Sequence, residues 1–353
     1  MRKIFESSFN KHIITALILS FFIFPLVSCS HRRENLYRKS TILMDTLVTI
    51  TVVSDSSKKA NTAIDAAFAE ILRLQKLISF WDPKSEISAM GRESGIRPVK
   101  VSPETMDAMK KAIYISRETS GAFDGTLAPV IRLWNIPYSK KIPSKAALRK
   151  AMALVGYKAI KINPEKSTIY LSKKGMTFDT GGLAEGMASD YAEAVLKSYG
   201  IRAGLISCAG DITAFGRKPD GHGWRVGIEN PRPKGKNDKL LGSVDLINEG
   251  ISTSGDYERY FIINGVRYCH IINARTGFPA QGYESVTVIA PNGAWADGFG
   301  CGIFAAGPLK GPAIAKKLGF GLITVTDDGV LHIYGRGLEK ELYRSRKIDS
   351  IAF

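Results

Sequence analysis

Polar and apolar residues alternate from Met44 to Val53, and Thr, Val and Ile dominate the run, which predicts a strand. The period then changes. Within Lys58 to Ile78, residues Ala63, Ala67, Ile71, Leu74 and Ile78 recur at helical spacing, the pattern of a long amphipathic helix. Ser79 to Ser88 reads as a turn feeding a short helix, and Ser102 before Pro103 is a capped start for a second long helix reaching about Ser120. Gly121 to Thr126 reads as a loop, and Trp134 to Lys145, rich in Lys and Pro, as a surface excursion. Short strands follow from Ala159 to Phe178, among them Thr168–Leu171 and Met176–Phe178. Further strands are predicted at 203–207, 224–229, 240–246, 251–263, 267–272, 286–290, 321–325 and 330–334, with a hairpin turn at Asn264-Gly265. Helices are predicted at 294–306 and 312–318. The order is neither strictly alternating nor segregated, which favours an α+β fold with a largely antiparallel sheet and long helices packed on it.

The stretch from Phe178 to Asp190 sits at the centre of this pattern. Ala184, Met187, Ala188, Tyr191, Ala192, Val195 and Leu196 recur at helical spacing, so Gly181-Gly182 marks a strand-to-helix junction. Free N–H groups and the positive end of a helix dipole make such a junction a natural phosphate site. A tight turn is the plainer reading of the same two glycines.

Composition adds an address. Arg2, Lys3 and Lys11 precede an apolar run from Ile13 to Phe24, too short for a comfortable membrane span. The run ends in Leu26-Val27-Ser28-Cys29, which resembles a bacterial lipobox with Cys29 as the lipidated residue. The expected organisation is a leader over 1–28, a polar tether over 29–40 and one domain over 41–353. The whole chain carries a formal charge of +16; without the leader, 46 basic and 32 acidic residues leave +14. Such a surface suits anionic lipid or a polyphosphate ligand. No motif with interleaved aromatics supports nucleic acid, and the export signal argues against it. Cys208, Cys269 and Cys301 are too few and too scattered for a disulfide framework.

Candidate chemistry gathers at strand ends. Asp124 follows Gly-Ala-Phe, Asp179 precedes Gly-Gly, Asp211 follows Ala-Gly, His270 leads Ile271 to Pro279, and Asp297 lies in Trp295 to Cys301. A single loop Asp is more often a turn or cap residue than a ligand. Five such loops in one domain point to a site assembled from loops on a scaffold.

Taken together, these stretches resemble the ApbE family of FAD:protein FMN transferases. The resemblance rests on Met44-Asp45-Thr46, Ser85-Glu86-Ile87-Ser88, Gly121 to Asp124, Asp179 to Asp190, Ala209-Gly210-Asp211, His270 to Pro279 and Ala296-Asp297, and spans about Met44 to Leu331. It implies a T-fold-like architecture and a lipoprotein on the outer side of the membrane. The implied reaction cleaves the FAD pyrophosphate, transfers FMN to a Thr or Ser hydroxyl of an acceptor flavoprotein and releases AMP. Implied acceptors are subunits of Rnf-type or sodium-pumping NADH:quinone oxidoreductase-like complexes. Mg²⁺, with Mn²⁺ as an alternative, would be held by Asp297, the side chain of Cys301 and backbone carbonyls near Gly182 and Gly300. FAD would touch Met44, Trp81, Ala122, Phe123, Asp124, Asp179, Glu185 and the His270–Ile272 stretch. His270 would take the acceptor's proton, since an imidazole titrates near working pH. An exported FAD-binding protein, or a FAD pyrophosphatase without protein flavinylation, is the alternative.

Several positions depart from the family pattern. Cys301 replaces a usual Thr or Ser, so either the thiol stands aside while Mg²⁺ takes water and carbonyl oxygens, or a thiolate joins a softer ion. The first is favoured, because the other ligands are hard oxygens. Glu185 stands where Lys is frequent and puts a negative charge at a pyrophosphate site, which would aim it at ribose or adenine. Gly91 stands for a common Asn, Ser207 to Asp211 for Asn-x-Gly-Gly-Asp, and Asn273 for an Asp.

Overall fold

The computed structural model describes residues 34–235, 238–335, 338 and 343–344. The leader and Cys29 lie outside them. In chain order the strands are β1 (Asn35–Leu43), β2 (Thr46–Ser54), β3 (Val99–Lys100), β4 (Ile160–Asn163), β5 (Thr168–Leu171), β6 (Gly204–Cys208), β7 (Asp211–Phe215), β8 (Trp224–Glu229), β9 (Leu240–Leu246), β10 (Glu249–Gly255), β11 (Tyr260–Ile263), β12 (Val266–Cys269), β13 (Tyr283–Ala290), β14 (Gly321–Thr326), β15 (Leu331–Tyr334) and β16 (Tyr343–Arg344). The α-helices are α1 (Ser57–Ile78), α2 (Glu86–Arg92), α3 (Pro103–Glu118), α4 (Ala128–Trp134), α5 (Lys145–Met152), α6 (Ala184–Ser198), α7 (Gly293–Ala306) and α8 (Gly311–Leu318).

Eight strands form the central sheet in the order β1-β2-β6-β7-β10-β13-β14-β15, with antiparallel pairing at each step. Alternation sorts its side chains to two faces. Val48, Ile50 and Val52 of β2 join Val286, Val288 and Ala290 of β13 in the core beneath α1, α6 and α7. Ile251, Ile289, Ile323 and Ile333 point the other way, onto Trp224, Val226, Val244 and Leu246 of the small sheet β8-β9-β16. The α+β class read from the sequence is the observed one. The helix α1 buries the predicted stripe of Ala63, Ala67, Ile71, Leu74 and Ile78, and Ser56 caps its start by accepting from Lys59 N–H. A third cluster joins Trp134 of α4 and Leu148 of α5 to Phe261 and Ile272, seating α4 and α5 beside the β11–β12 hairpin.

Several local readings differ from the structure; Trp134, expected to open a surface excursion, is buried at the end of α4. Asn35 to Ser40, expected as tether, belong to β1 and pair with β2 through to Asn35↔Ser54. Their mixed composition reflects an edge strand, where polar side chains face water. Met176–Phe178 is not a ladder strand: Met176 and Phe178 are buried, but Asp179 N–H donates to Gly125 O instead of to a neighbouring strand. The region 251–263 is broken by a turn between β10 and β11.

The helices α6 and α7 hold each other by their starts. Leu183 at the cap position of α6 offers no side-chain acceptor. Asp297 of α7 takes that role, accepting from Gly186 N–H at 3.0 Å. In return Asp190 of α6 accepts from Gly293 N–H at 2.8 Å and Ala294 N–H at 2.9 Å, the first amides of α7. Each carboxylate thus sits on the positive end of the other helix. Such proximity needs glycine: a Cβ on Gly186 would lie 2.2 Å from Gly293 O. Gly186→Ala should therefore destabilise the fold by about 1–3 kcal/mol, read from the urea midpoint; an unchanged midpoint would show that the helices have room to part.

Candidate functional site

Asp297 is buried, and its environment is acidic. Burial pushes its carboxyl well above the ordinary range, and the charges of Asp211 and Glu185 push it further. Glu185, one residue inside α6, is raised to about 8 by burial and by Asp211, to which it is hydrogen-bonded. Asp211 opens β7 and is raised to about 6 by burial, while a hydrogen bond from Ser252 of β10 opposes the shift. Glu185 thus has Asp211 and Asp297 as neighbours. β7, α6 and α7 bring these three acids close enough for them to shift one another's titration.

The two glycines before α6 serve close approach. A Cβ on Gly182 would meet Cys301 Sγ at 3.0 Å and Phe123 Cε2 at 3.2 Å. Gly181 N–H donates to Asp179 Oδ1 at 2.8 Å. The first turn of α6 directs the Gly186 amide to Asp297, so a protein carboxylate holds that part of the expected phosphate cradle. Cys301 accepts a hydrogen bond from Ser254 Oγ at 3.6 Å. Burial, then the charge of Asp297, pushes its thiol far up, so it stays protonated. A Cβ on Gly300 would lie 3.2 Å from Ser254 Oγ. Among the described residues, no three His, Cys, Asp or Glu side chains converge on a metal-sized centre. A hard cation here would rest on Asp297 with backbone oxygens, hydroxyls and water, a donor set that suits Mg²⁺.

His270 follows β12 directly. Its N–H donates to Arg259 O at 3.0 Å, which extends the β11–β12 ladder by one pair. Its Nδ1 is buried and has no hydrogen-bond partner among the described residues. Burial, and then the Arg259 charge, lowers the imidazole to about 4, so it is neutral at ordinary pH. Asp179 lies at the same edge: burial raises its carboxyl, while Gly181 N–H, Arg259 and Arg132 pull it down.

Other expected ligand contacts have more local duties. Asp124 caps a short turn, taking Thr126 N–H at 2.9 Å and Thr126 Oγ1 at 2.6 Å on Oδ1, and Tyr157 N–H at 2.8 Å on Oδ2. The plainer reading of a loop Asp describes these contacts. Ala122 and Ile272 are core residues. Met44 and Asp45 form the two-residue turn between β1 and β2 with φ of 54° and 59°, and Met44 N–H donates to Gln75 Oε1. Trp81 is 66% exposed and offers a free indole face. Sequence reasoning missed Arg132, Arg259, Ser252 and Ser254. Arg259 could have been found by counting outward from the Asn264-Gly265 turn, since Ile263↔Val266 leads by register to Tyr260↔Cys269 and then to Arg259 and His270.

Comparison with known proteins places the family and the fold. A model of the ApbE family matches residues 44–323. A FAD:protein FMN transferase of Vibrio cholerae is 31% identical over 279 residues, covering 77% of this chain and 81% of that protein. One from Haemophilus influenzae is 29% identical, covering 78% of this chain and 82% of the relative. The crystal structure of the ApbE protein of Thermotoga maritima superposes with a TM-score of 0.79 at 29% identity, over 89% of this chain and all of that one (100%). The flavin transferase ApbE of Vibrio cholerae gives 0.76 at 27% identity, over 88% of this chain and 100% of that one.

The acid cluster makes stability depend on pH. Glu185 and Asp211 hold protons in the folded state up to about 8 and about 6, whereas an unfolded chain releases them near 4. Folding therefore takes up protons in that window, and stability falls as pH rises through it. His270, lowered to about 4, acts in the opposite sense only below its unfolded value of about 6.5. The melting temperature in EDTA should rise as pH drops from about 8.5 to about 6.5, and Glu185→Gln should flatten the rise. A wild-type profile that falls over that interval would contradict the assignment.

Proposed function

This chain belongs to the ApbE family, and we propose that it moves FMN from FAD onto a Thr or Ser hydroxyl of an acceptor protein. The observation that carries this reading is the neutral, unpartnered Nδ1 of His270, set beside Arg259 in a chain that also buries Asp297 next to acids. In the proposed step the acceptor oxygen bonds to the phosphorus of the FMN half. The P–O bond to the AMP half breaks, AMP leaves with the bridging oxygen, and the hydroxyl proton goes to His270. An imidazole that is already neutral needs no prior deprotonation. Bound Mg²⁺ would neutralise charge on the phosphate oxygens; Asp297, with backbone oxygens at Gly182 and Gly300, would hold it. The protonated, hydrogen-bonded thiol of Cys301 supports its role as a bystander. The exposed indole of Trp81 can stack on a planar ring of FAD.

The address is proposed with the activity. Cys29 would carry lipid and hold the domain on the outer side of the membrane, next to acceptors of the Rnf-type or sodium-pumping class. The same displacement with water as the attacking group would be FAD hydrolysis. Incubation with FAD, Mg²⁺ and a candidate acceptor, followed by intact mass, separates the two: transfer adds FMN to the acceptor, hydrolysis does not.

His270→Ala should keep FAD binding and slow transfer on the order of a hundredfold or more, measured under single turnover. An unchanged rate would assign the proton to another group. Cys301→Thr should raise Mg²⁺ affinity by replacing a bystander thiol with an oxygen ligand, as seen in a Mg²⁺ titration of FAD cleavage. Weaker Mg²⁺ dependence, with Mn²⁺ or Zn²⁺ activity lost, would make the thiol a working ligand.

A further inference from the structure

The acids Asp297, Glu185 and Asp211 leave the site without a cation of its own beneath the ligand, yet a dinucleotide brings two phosphate charges. Besides the cation that Asp297 would hold, basic side chains of this chain can supply positive charge. Two arginines border Asp179 from opposite elements. Arg259 is exposed and stands directly across the ladder from His270, joined to it by the 3.0 Å backbone bond. Cross-strand partners project to the same face, so its guanidinium stands beside the imidazole. Arg132, from α4, lies over the Phe80 ring at 4.1 Å. Phe80 is in turn next to the Asp179 loop, because Thr180 Oγ1 donates to Ile78 O at 2.8 Å. Neither guanidinium has an ion-pair partner among the described residues. The Phe80 contact brings Arg132 to the Asp179 loop and the ladder brings Arg259 to His270, and both charges pull the Asp179 carboxyl down.

The segments that carry the two arginines are tied together by packing. Trp134, two residues after Arg132, stacks on Phe261 and Tyr268 of the β11–β12 hairpin at 6.4 Å and 5.8 Å, and its Nε1 donates to Gly277 O at 2.7 Å. Phe261 and Tyr268 stack on each other at 5.2 Å. The helix bearing Arg132 and the hairpin bearing Arg259 are thus fastened together behind the site. Two unpaired guanidinium groups on rigid supports, above an edge with Gly181 and Gly182, suit a diphosphate bridge.

We propose that Arg132 and Arg259 are a two-sided clamp for the diphosphate of FAD, on segments tied together by the Trp134–Phe261–Tyr268 stack. The clamp rests on the FAD-dependent reading above and identifies residues that would bind its substrate. Riboflavin, FMN and FAD carry no, one and two phosphates on the same ring system, so their affinities isolate the clamp from the flavin pocket. The whole protein, in EDTA to prevent cleavage, is titrated with each by flavin fluorescence. Arg132→Gln and Arg259→Gln should each weaken FAD binding by about ten- to a hundredfold, leave riboflavin binding unchanged, and affect FMN less than FAD. Arg259→Lys should recover part of the loss, since charge returns without the planar fork. Loss of riboflavin and FAD affinity in equal measure, or no loss of FAD affinity, would overturn the clamp. A wild-type protein that binds no FAD would instead overturn the function on which it rests.

Discussion

The structure depends on the reciprocal bond between two helix starts. Asp297 of α7 receives an amide of α6, and Asp190 of α6 receives two amides of α7. Each carboxylate gains the charge-assisted bonds and dipole of the opposite helix, interactions that are strong when water is excluded. The helices must then approach within the span of a glycine, as Gly186 and Gly293 allow. That approach carries Glu185 to the end of β7, where Asp211 is already buried. Acids that would be ionised on a surface thereby keep their protons to higher pH, Glu185 up to about 8 and Asp211 up to about 6.

Charge is divided by depth across the site. The carboxyls are buried where β7, α6 and α7 meet, while Arg132 and Arg259 are exposed. His270 sits between these regimes, half-buried and neutral, with the hairpin fixing its position by register. This layering fits a reaction that joins a metal, an anionic diphosphate and a neutral base within one cleft. It also explains why a negative residue at position 185 is compatible with a phosphorylated substrate: it belongs to the lower layer, beside Asp211 and Asp297.

Much of this was legible from sequence where the determinant is local. The stripe of Ala63, Ala67, Ile71, Leu74 and Ile78 specified α1, the Ser102-Pro103 pair began α3, and Asn264-Gly265 turned the β11–β12 hairpin. The resemblance carried by scattered loops identified the family and singled out Asp179, His270 and Asp297. Local patterning also misled. Asn35 to Ser40 look like a polar tether because an edge strand needs few apolar residues, and only pairing with β2 makes it a strand. Asp124 accepts locally from Thr126 and, across a longer stretch of chain, from Tyr157, a partner that the loop's own spacing does not announce.

The sequence by itself determined the periods of helix and strand, the turn residues and the types of acid and base available, because these follow from side chains a few positions apart. Only the tertiary structure decided which charges meet. The cap of α6 comes from Asp297, more than a hundred residues away, since Leu183 cannot supply one. The helix that carries Arg132 is seated by Trp134, which stacks on a hairpin formed much later in the chain. Burial and mutual repulsion of carboxyls, which shift their protonation, depend on distances that no local pattern encodes.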